Sequence, residues 1–112
     1  MADTHALYDE ADKLKDEGKL DEAAAKLNEA LAGDPNYALA HSALAVVLQK
    51  LGRHEEAVSH GERACELAPN EPFNYTALSV TYQRAWQATQ DHIYIQKAED
   101  AKAKANMLEM RH

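Results

Sequence analysis

The chain has 112 residues, of which 46% are hydrophobic and 28% charged, and this length allows one domain with a modest core. Its formal net charge of −7 repels phosphate backbones, so a nucleic-acid partner is not expected. The single cysteine, Cys65, excludes an intrachain disulfide, and the longest apolar run, Ala43 to Leu48, is too short for a membrane span. The start, Met1 to Thr4, lacks the features of a signal peptide, which favours a cytoplasmic location.

The first third of the chain predicts a helical hairpin. Apolar residues at helical spacing mark two helices: Leu7, Ala11 and Leu14, then Ala23, Leu27, Ala30 and Leu31. Gly18 lies between them and can take the left-handed conformation that ends a helix. Asp34 and Pro35 end the second helix, because a residue before proline avoids the α region.

The same unit recurs at a fixed interval along the chain. Six pairs share one spacing: Gly18 and Gly52, Ala23 and Ala57, Ala30 and Ala64, Pro35 and Pro69, Ala11 and Ala45, and Leu14 and Leu48. A fixed period of about 34 residues is typical of proteins built by stacking one small structural unit.

These residues resemble the pattern of the tetratricopeptide repeat family. The first repeat, 4–37, matches with Leu7, Ala11, Leu14, Gly18, Leu20, Ala23, Leu27, Ala30 and Pro35. The second, 38–71, matches with Leu44, Ala45, Leu48, Gly52, Ala57, Ala64 and Pro69. It departs at His41 and Gly61, where bulky apolar residues are usual, so looser packing is expected there. The resemblance implies one all-α domain over 1–112, a right-handed α-solenoid of three hairpins with six to seven antiparallel helices.

The third repeat, 72–110, begins like the others and then differs. Its first helix matches with Tyr75, Leu78, Ser79 and Tyr82, but Trp86 replaces the turn glycine. An insertion near 86–94 is expected to lengthen the helix, the turn or both, and we predict an enlarged turn. The last helix should run from about Ile95 to Met110. Its apolar face is predicted to contain Ala98, Ala101, Ala105 and Leu108, and its solvated side Lys97, Lys102 and Lys104.

The resemblance also implies a concave groove lined by the first helix of each hairpin. Carried over position by position, its surface is predicted to contain Tyr8, Asp12 and Lys15, then Leu39, Ser42, Val46, Gln49 and Lys50, and then Phe73, Thr76, Val80, Gln83 and Arg84. Such a surface suits a peptide segment held by apolar anchors and hydrogen bonds. One subclass of the family grips a terminal carboxylate with Lys, Asn and Arg. The corresponding residues here, Tyr8, Asp12, Ala43, Phe73 and Ala77, cannot form that clamp.

The insertion carries Trp86, His92, Ile93 and Tyr94. Aromatic residues of this kind are favoured at protein interfaces, which makes the segment a second candidate binding surface. The alternative is that Trp86 and Ile93 fold back over the open end of the last hairpin and cap it.

Catalytic and metal chemistry is not expected. None of the six histidines, His5, His41, His54, His60, His92 and His112, has another three or four residues away, the spacing that places two ligands on one helix face. No Ser-His-Asp or Cys-His set and no glycine-rich phosphate loop is recognisable, so neither an enzyme nor a cofactor is predicted.

The leading functional hypothesis is a non-catalytic adaptor or assembly scaffold that binds another protein or a peptide segment. A self-associating structural protein is the alternative, as a homo-oligomer through the terminal helix or through head-to-tail contacts. A small regulatory subunit of an enzyme complex is a third option.

Overall fold

The computed structural model describes residues 3–111. Met1 and Ala2, which belong to the start considered for a signal peptide, and His112 lie outside the described residues. The described chain forms six helices: α1 (Thr4–Asp16), α2 (Leu20–Gly33), α3 (Ala38–Lys50), α4 (His54–Leu67), α5 (Pro72–Thr89) and α6 (Ile93–Glu109). Residues 3–111 contain no strand. The predicted all-α stack of three hairpins is therefore confirmed, with six helices rather than seven.

The hairpins stack so that the first helices share one layer. Helix α2 packs on α3 and α4 on α5, while α3 contacts both α1 and α5. Small residues in these contacts are almost fully buried: Ala11, Ala23, Ala30, Ala40, Ala57, Ala64 and Ala85. Because alanine has no side chain beyond Cβ, the helices can approach closely, and the larger Leu27, Leu44 and Leu48 fill the space between them.

The turn of the third hairpin is not enlarged, and that prediction was wrong. All three hairpin turns have the same length, 17–19, 51–53 and 90–92. The insertion lengthens the helices instead, because α5 has 18 residues where α1 and α3 have 13, and α6 has 17 where α2 and α4 have 14. Gly18 and Gly52 have φ of 81°. In the third turn Gln90 takes φ of 61°, and its side-chain amide donates to the carbonyls of Trp86 and Gln87.

The expectation of looser packing at His41 and Gly61 was also wrong. His41 is buried, and its Nε2 donates to the carbonyl oxygen of Pro35 at 2.8 Å. A neutral imidazole has one N–H, so Nδ1 of His41 accepts from Nδ1 of His60, 3.0 Å away. At Gly61, an added Cβ would lie 2.9 Å from Cδ1 of Leu78. The glycine thus allows α5 to pack tightly on α4.

The histidine pair predicts a pH-dependent stability. Burial and, secondarily, the neighbouring His41 lower the pKa of His60 below its usual 6.5, although Glu56 acts in the opposite direction. The unfolded chain therefore binds more protons at this histidine than the folded one. The contribution of neutral His60 to the free energy of unfolding is present above pH 6.5 and is lost as the pH falls through and below that value. We expect the urea midpoint to fall between pH 7.5 and 5.5 by more in the wild type than in His60→Gln, which keeps a donor but cannot titrate. Equal losses would contradict this role.

Cys65 is a packed residue of α4 rather than an exposed nucleophile. Its side chain is 6% exposed, and burial, followed by the nearby Glu62, raises the pKa of its thiol to about 11. The thiolate is the reactive form of cysteine, so very little of it is present near neutral pH. We expect Ellman's reagent at pH 8 to modify Cys65 slowly in the folded protein and rapidly in denaturing urea. Similar rates in the two states would show that the helix does not protect it.

Both ends of the stack carry polar residues where the inner junctions are apolar. In α1, Glu10 and Lys13 occupy the repeat positions that the buried Leu44 and Val47 occupy in α3. At the other end, Ala98 and Ala105 of α6 follow Ala57 and Ala64 of α4 by the same number of residues, so they occupy equivalent positions. By the same correspondence, three buried positions of α4 are exposed in α6: Val58, Gly61 and Cys65 correspond to Glu99, Lys102 and Asn106. Both end faces are thus compatible with contact with water.

Two of the three lysines predicted on the solvated side of α6 are only half-buried. Lys102 is exposed, as predicted, whereas Lys97 and Lys104 are of intermediate exposure. Nζ of Lys97 lies 3.5 Å from a Glu62 carboxylate oxygen and 5.8 Å from the centre of the Tyr82 ring. Lys97 therefore joins α6 to α4 and α5 instead of only facing water.

Candidate functional site

Three parallel rows of side chains define one face of the layer formed by α1, α3 and α5. Spacings of four, three and four residues keep side chains within about 60° of one another around a helix. The rows are His5, Asp9, Asp12 and Asp16 in α1, Leu39, Ala43, Val46 and Lys50 in α3, and Phe73, Ala77, Val80 and Arg84 in α5. The three rows occupy the same positions within their sequence repeats, so equivalent residues of neighbouring helices lie side by side. We call these twelve residues the groove face.

Seven of the predicted groove residues line one pocket on this face. Its volume is about 110 Å³, and it is lined by Tyr8, Asp12, Lys15, Leu39, Ser42, Val46 and Phe73. Sequence analysis missed its other lining residues, Ala11, Leu27, Ala43 and Val47. The helical spacing of Ala11 and Leu27 predicts core residues, and their buried side chains belong both to the core and to the wall of the pocket. Four helices thus contribute to one pocket: α1, α3 and α5, and α2 through Leu27.

Large apolar side chains remain exposed on the groove face. Phe73 is 61% exposed, Leu39 48% and Val80 40%, whereas Leu44 on the opposite side of α3 is 1% exposed. Leu39 and Phe73 occupy equivalent positions, each within the first two residues of its helix. An apolar patch shared by neighbouring helices and bordered by charged residues is typical of an interaction surface.

The predicted groove residues are not equally available to a partner, and six of them lie outside this pocket. Ser42 is in the pocket but is buried, so it offers little surface. Gln49 accepts a hydrogen bond from the Thr81 hydroxyl at 3.2 Å and so links α3 to α5. Gln83 lies in a separate hollow between α5 and α6, beside Trp86 and Ile95. The remaining four, Lys50, Thr76, Val80 and Arg84, are exposed and lie outside the pocket.

The charges of the groove face differ between its two ends. The α1 row contains Asp9, Asp12 and Asp16, all exposed, and Asp12 pairs with Lys15 at 3.3 Å. The α3 and α5 rows end in Lys50 and Arg84. Within residues 3–111, neither of these two cations has a carboxylate oxygen within 4 Å. The first hairpin therefore presents an acidic surface, and the second and third present apolar and basic groups.

Aromatic side chains fix the acidic end of the groove. The Tyr37 hydroxyl lies 3.2 Å from Nδ1 of His5, and the ring centres of Tyr8 and Tyr37 are 5.9 Å apart. Burial, with smaller contributions from Tyr8 and Asp9, raises the pKa of the Tyr37 phenol. Tyr37 therefore stays protonated near neutral pH, and its contacts hold Tyr8 at the edge of the pocket.

The insertion residues do not form one surface. Trp86 is partly buried beside Gln83, Ile95 and Ala98, and its indole nitrogen has no hydrogen-bond partner among the described residues. Tyr94 stacks on Tyr82, with ring centres 6.1 Å apart. His92 and Ile93 are exposed, and Ile93 is 53% so. Trp86 and Tyr94 thus contribute to packing between α5 and α6, whereas Ile93 does not fold back over the end.

Histidine spacing along the chain did not reveal the contact between His41 and His60. They lie on different helices, α3 and α4, and the hairpin brings their rings together with centres 5.2 Å apart. Across residues 3–111, no group of three or more His, Cys, Asp or Glu side chains is arranged to hold a metal ion. No helix in this range has the length and apolar character needed to cross a bilayer.

The repeated hairpins, the glycine turns and the layer of first helices define a class of helical solenoid protein. The model of the tetratricopeptide repeat family matches residues 8–72, which is more than half of the chain. The chain therefore belongs to the tetratricopeptide repeat family. A comparison with curated proteins gives no match.

Solved structures share this fold at low sequence identity. A crystal structure of MamA is 20% identical with a TM-score of 0.82, and the match covers 96% of this chain and 59% of that one. The second tetratricopeptide domain of Spaghetti (RPAP3), bound to the HSP90 peptide SRMEEVD, is 17% identical with a TM-score of 0.80, covering 94% and 91%. A chain of the CopN–Scc3 complex is 13% identical with a TM-score of 0.78, and the match covers 94% of this chain and 58% of that one. The chain thus spans about three-fifths of the MamA chain.

Proposed function

We propose that this protein is a non-catalytic interaction module that holds a segment of a partner protein in the groove face, as an adaptor or assembly scaffold. The observation that carries the proposal is the exposed apolar patch of Leu39, Phe73 and Val80 beside the pocket shared by α1, α3 and α5. Burying such a patch against a partner is favourable by about 25 cal/mol for each Å² removed from water. Stacked repeats characteristically bind through an extended concave surface of this kind.

Two structural neighbours support the proposal by analogy. The Spaghetti domain is bound to a peptide, and CopN and Scc3 form a complex. Their identities to this chain, 17% and 13%, concern the fold, so the partner itself has to be found by experiment. A cytoplasmic location is part of the same proposal, since a lone buried thiol suits a reducing compartment.

The test compares proteins retained by the immobilised wild type and by Leu39→Asp/Phe73→Ala. Both side chains are about half exposed or more, so circular dichroism should remain unchanged while the partner is lost. The matched control is Met107→Asp/Met110→Ala, which alters two exposed apolar residues at the end of α6, 44% and 84% exposed. The groove variant should lose a partner that the control retains. A partner retained equally by all three proteins would contradict groove binding.

Self-association is a second candidate, favoured by the exposed Ile95, Met107 and Met110 near the terminal helix. The charged end faces, with Glu10 and Lys13 at one end and Glu99 and Lys102 at the other, do not favour continuous head-to-tail stacking. Light scattering over a range of concentrations separates the two candidates. A monomer at all concentrations would leave the adaptor, and a concentration-dependent dimer lost in Met110→Asp would support association through α6.

A further inference from the structure

The rows of α3 and α5 present the same chemistry in the same order. Each begins with a large exposed apolar residue, Leu39 or Phe73, and continues with an alanine and a valine. The alanines, Ala43 and Ala77, are shorter than the residues on either side of them in the row. Each alanine therefore leaves a low point between two apolar side chains, called a hollow below, and the hollow over Ala43 is part of the pocket described above. Because the two rows are related by the sequence repeat, the two hollows lie side by side at equivalent heights.

A basic residue follows each hollow at the same distance. Lys50 and Arg84 are four residues after Val46 and Val80, one helical turn further along the same face. Both are exposed, and no carboxylate among the described residues lies within 4 Å of either. The guanidinium of Arg84 donates a hydrogen bond to the side-chain oxygen of the neutral Gln87 at 3.2 Å. Two cations therefore border the apolar part of the groove without an internal counter-charge.

The α1 row has the opposite charge. Where α3 and α5 have Lys50 and Arg84, α1 has Asp16, and where they have valine, α1 has Asp12. A negatively charged ligand is thus repelled at the first hairpin and attracted at the second and third. The overall charge of −7 makes this local basic edge more informative, because it departs from the charge of the chain as a whole.

We propose that the groove face binds an acidic segment with two bulky apolar side chains, lying over the second and third hairpins. The apolar side chains enter the hollows over Ala43 and Ala77, and carboxylates of the segment pair with Lys50 and Arg84. This inference rests on the proposed function and adds the chemistry of the partner to it.

The experiment selects displayed random peptides of about 16 residues, which in a helix extend about 24 Å and so cover three helices packed about 8–10 Å apart. Peptides enriched on the immobilised wild type should contain an excess of Asp and Glu and at least two bulky apolar residues. A synthetic copy of the most enriched peptide should bind Lys50→Glu/Arg84→Glu at least about tenfold more weakly, because each attraction becomes a repulsion. Binding to the wild type should also weaken as salt is added.

The matched control is Lys13→Glu/Lys102→Glu, which gives the same net charge by reversing two exposed cations outside the groove face. Its affinity should stay within about twofold of the wild type, as expected for distant surface charges. Enriched peptides that need Leu39 and Phe73 but carry no acidic excess, or that bind the Lys50→Glu/Arg84→Glu variant normally, would overturn this inference and leave the proposed function standing. Failure to enrich any peptide whose binding requires Leu39 and Phe73 would overturn both.

Discussion

Leu44→Ala is expected to lower the free energy of unfolding by about 3 kcal/mol, within the range measured for leucine truncation in protein cores. Leu44 is 1% exposed and belongs to the cluster in which the first and second hairpins meet. Removing most of its side chain would leave a cavity between α2 and α3 that the surrounding helices cannot fill completely. Urea unfolding followed by circular dichroism measures the change.

The matched control is Leu39→Ala, the same substitution five residues earlier in the same helix. Leu39 is 48% exposed, so its removal should change stability by less than about 1 kcal/mol. The two variants together test whether α3 buries one side and leaves the other free. Comparable losses in both would mean that Leu39 is also part of the core, and the groove face would then lack its apolar patch.

Gly61→Phe is expected to destabilise the protein by about 3 kcal/mol, although a bulky apolar residue is usual at this position in the family. A Cβ at Gly61 would already lie 2.9 Å from Cδ1 of Leu78 and 3.8 Å from Cβ of Ala45. Leu78 is 5% exposed and has little room to move. A phenyl ring would therefore push α5 away from α4. Thermal or urea unfolding measures the loss.

Two further variants identify the cause of that loss. Gly61→Ala should stay within about 1 kcal/mol of the wild type, because alanine's better helix propensity offsets a small shift of Leu78. Gly61→Phe/Leu78→Ala should recover part of the stability, since the smaller residue makes room for the ring. If Gly61→Phe alone is as stable as the wild type, the close approach of α4 and α5 does not occur in solution.

The repeat made most of the fold predictable. Its fixed period located the helices, and Gly18 and Gly52 marked two of the turns correctly, because a left-handed turn strongly favours glycine. The third turn could not be located in the same way, since Gln90 takes the left-handed conformation without the glycine signal. The extra residues near Trp86 continued α5 and α6 instead of forming a loop, as helix-forming residues there could extend either element.

The groove was predictable in its composition but less so in its details. The repeat placed Tyr8, Leu39 and Phe73 in positions that the structure brings to one pocket. The burial of Ser42 and the position of Gln83 beside Trp86 depend on how far each helix is rotated toward its neighbours, which sequence spacing does not give. The His41–His60 contact likewise joins two helices, so a search for ligand pairs along one helix could not find it.

Binding of partners at the groove face is tested most directly by photo-crosslinking. A photoreactive phenylalanine analogue is introduced at Phe73 in one protein and at Ser59, an exposed residue of α4 outside the groove face, in another. Each is irradiated in the presence of the captured partner or the selected peptide. The groove account predicts a crosslink from position 73 and none from position 59. A crosslink from position 59 alone would contradict it.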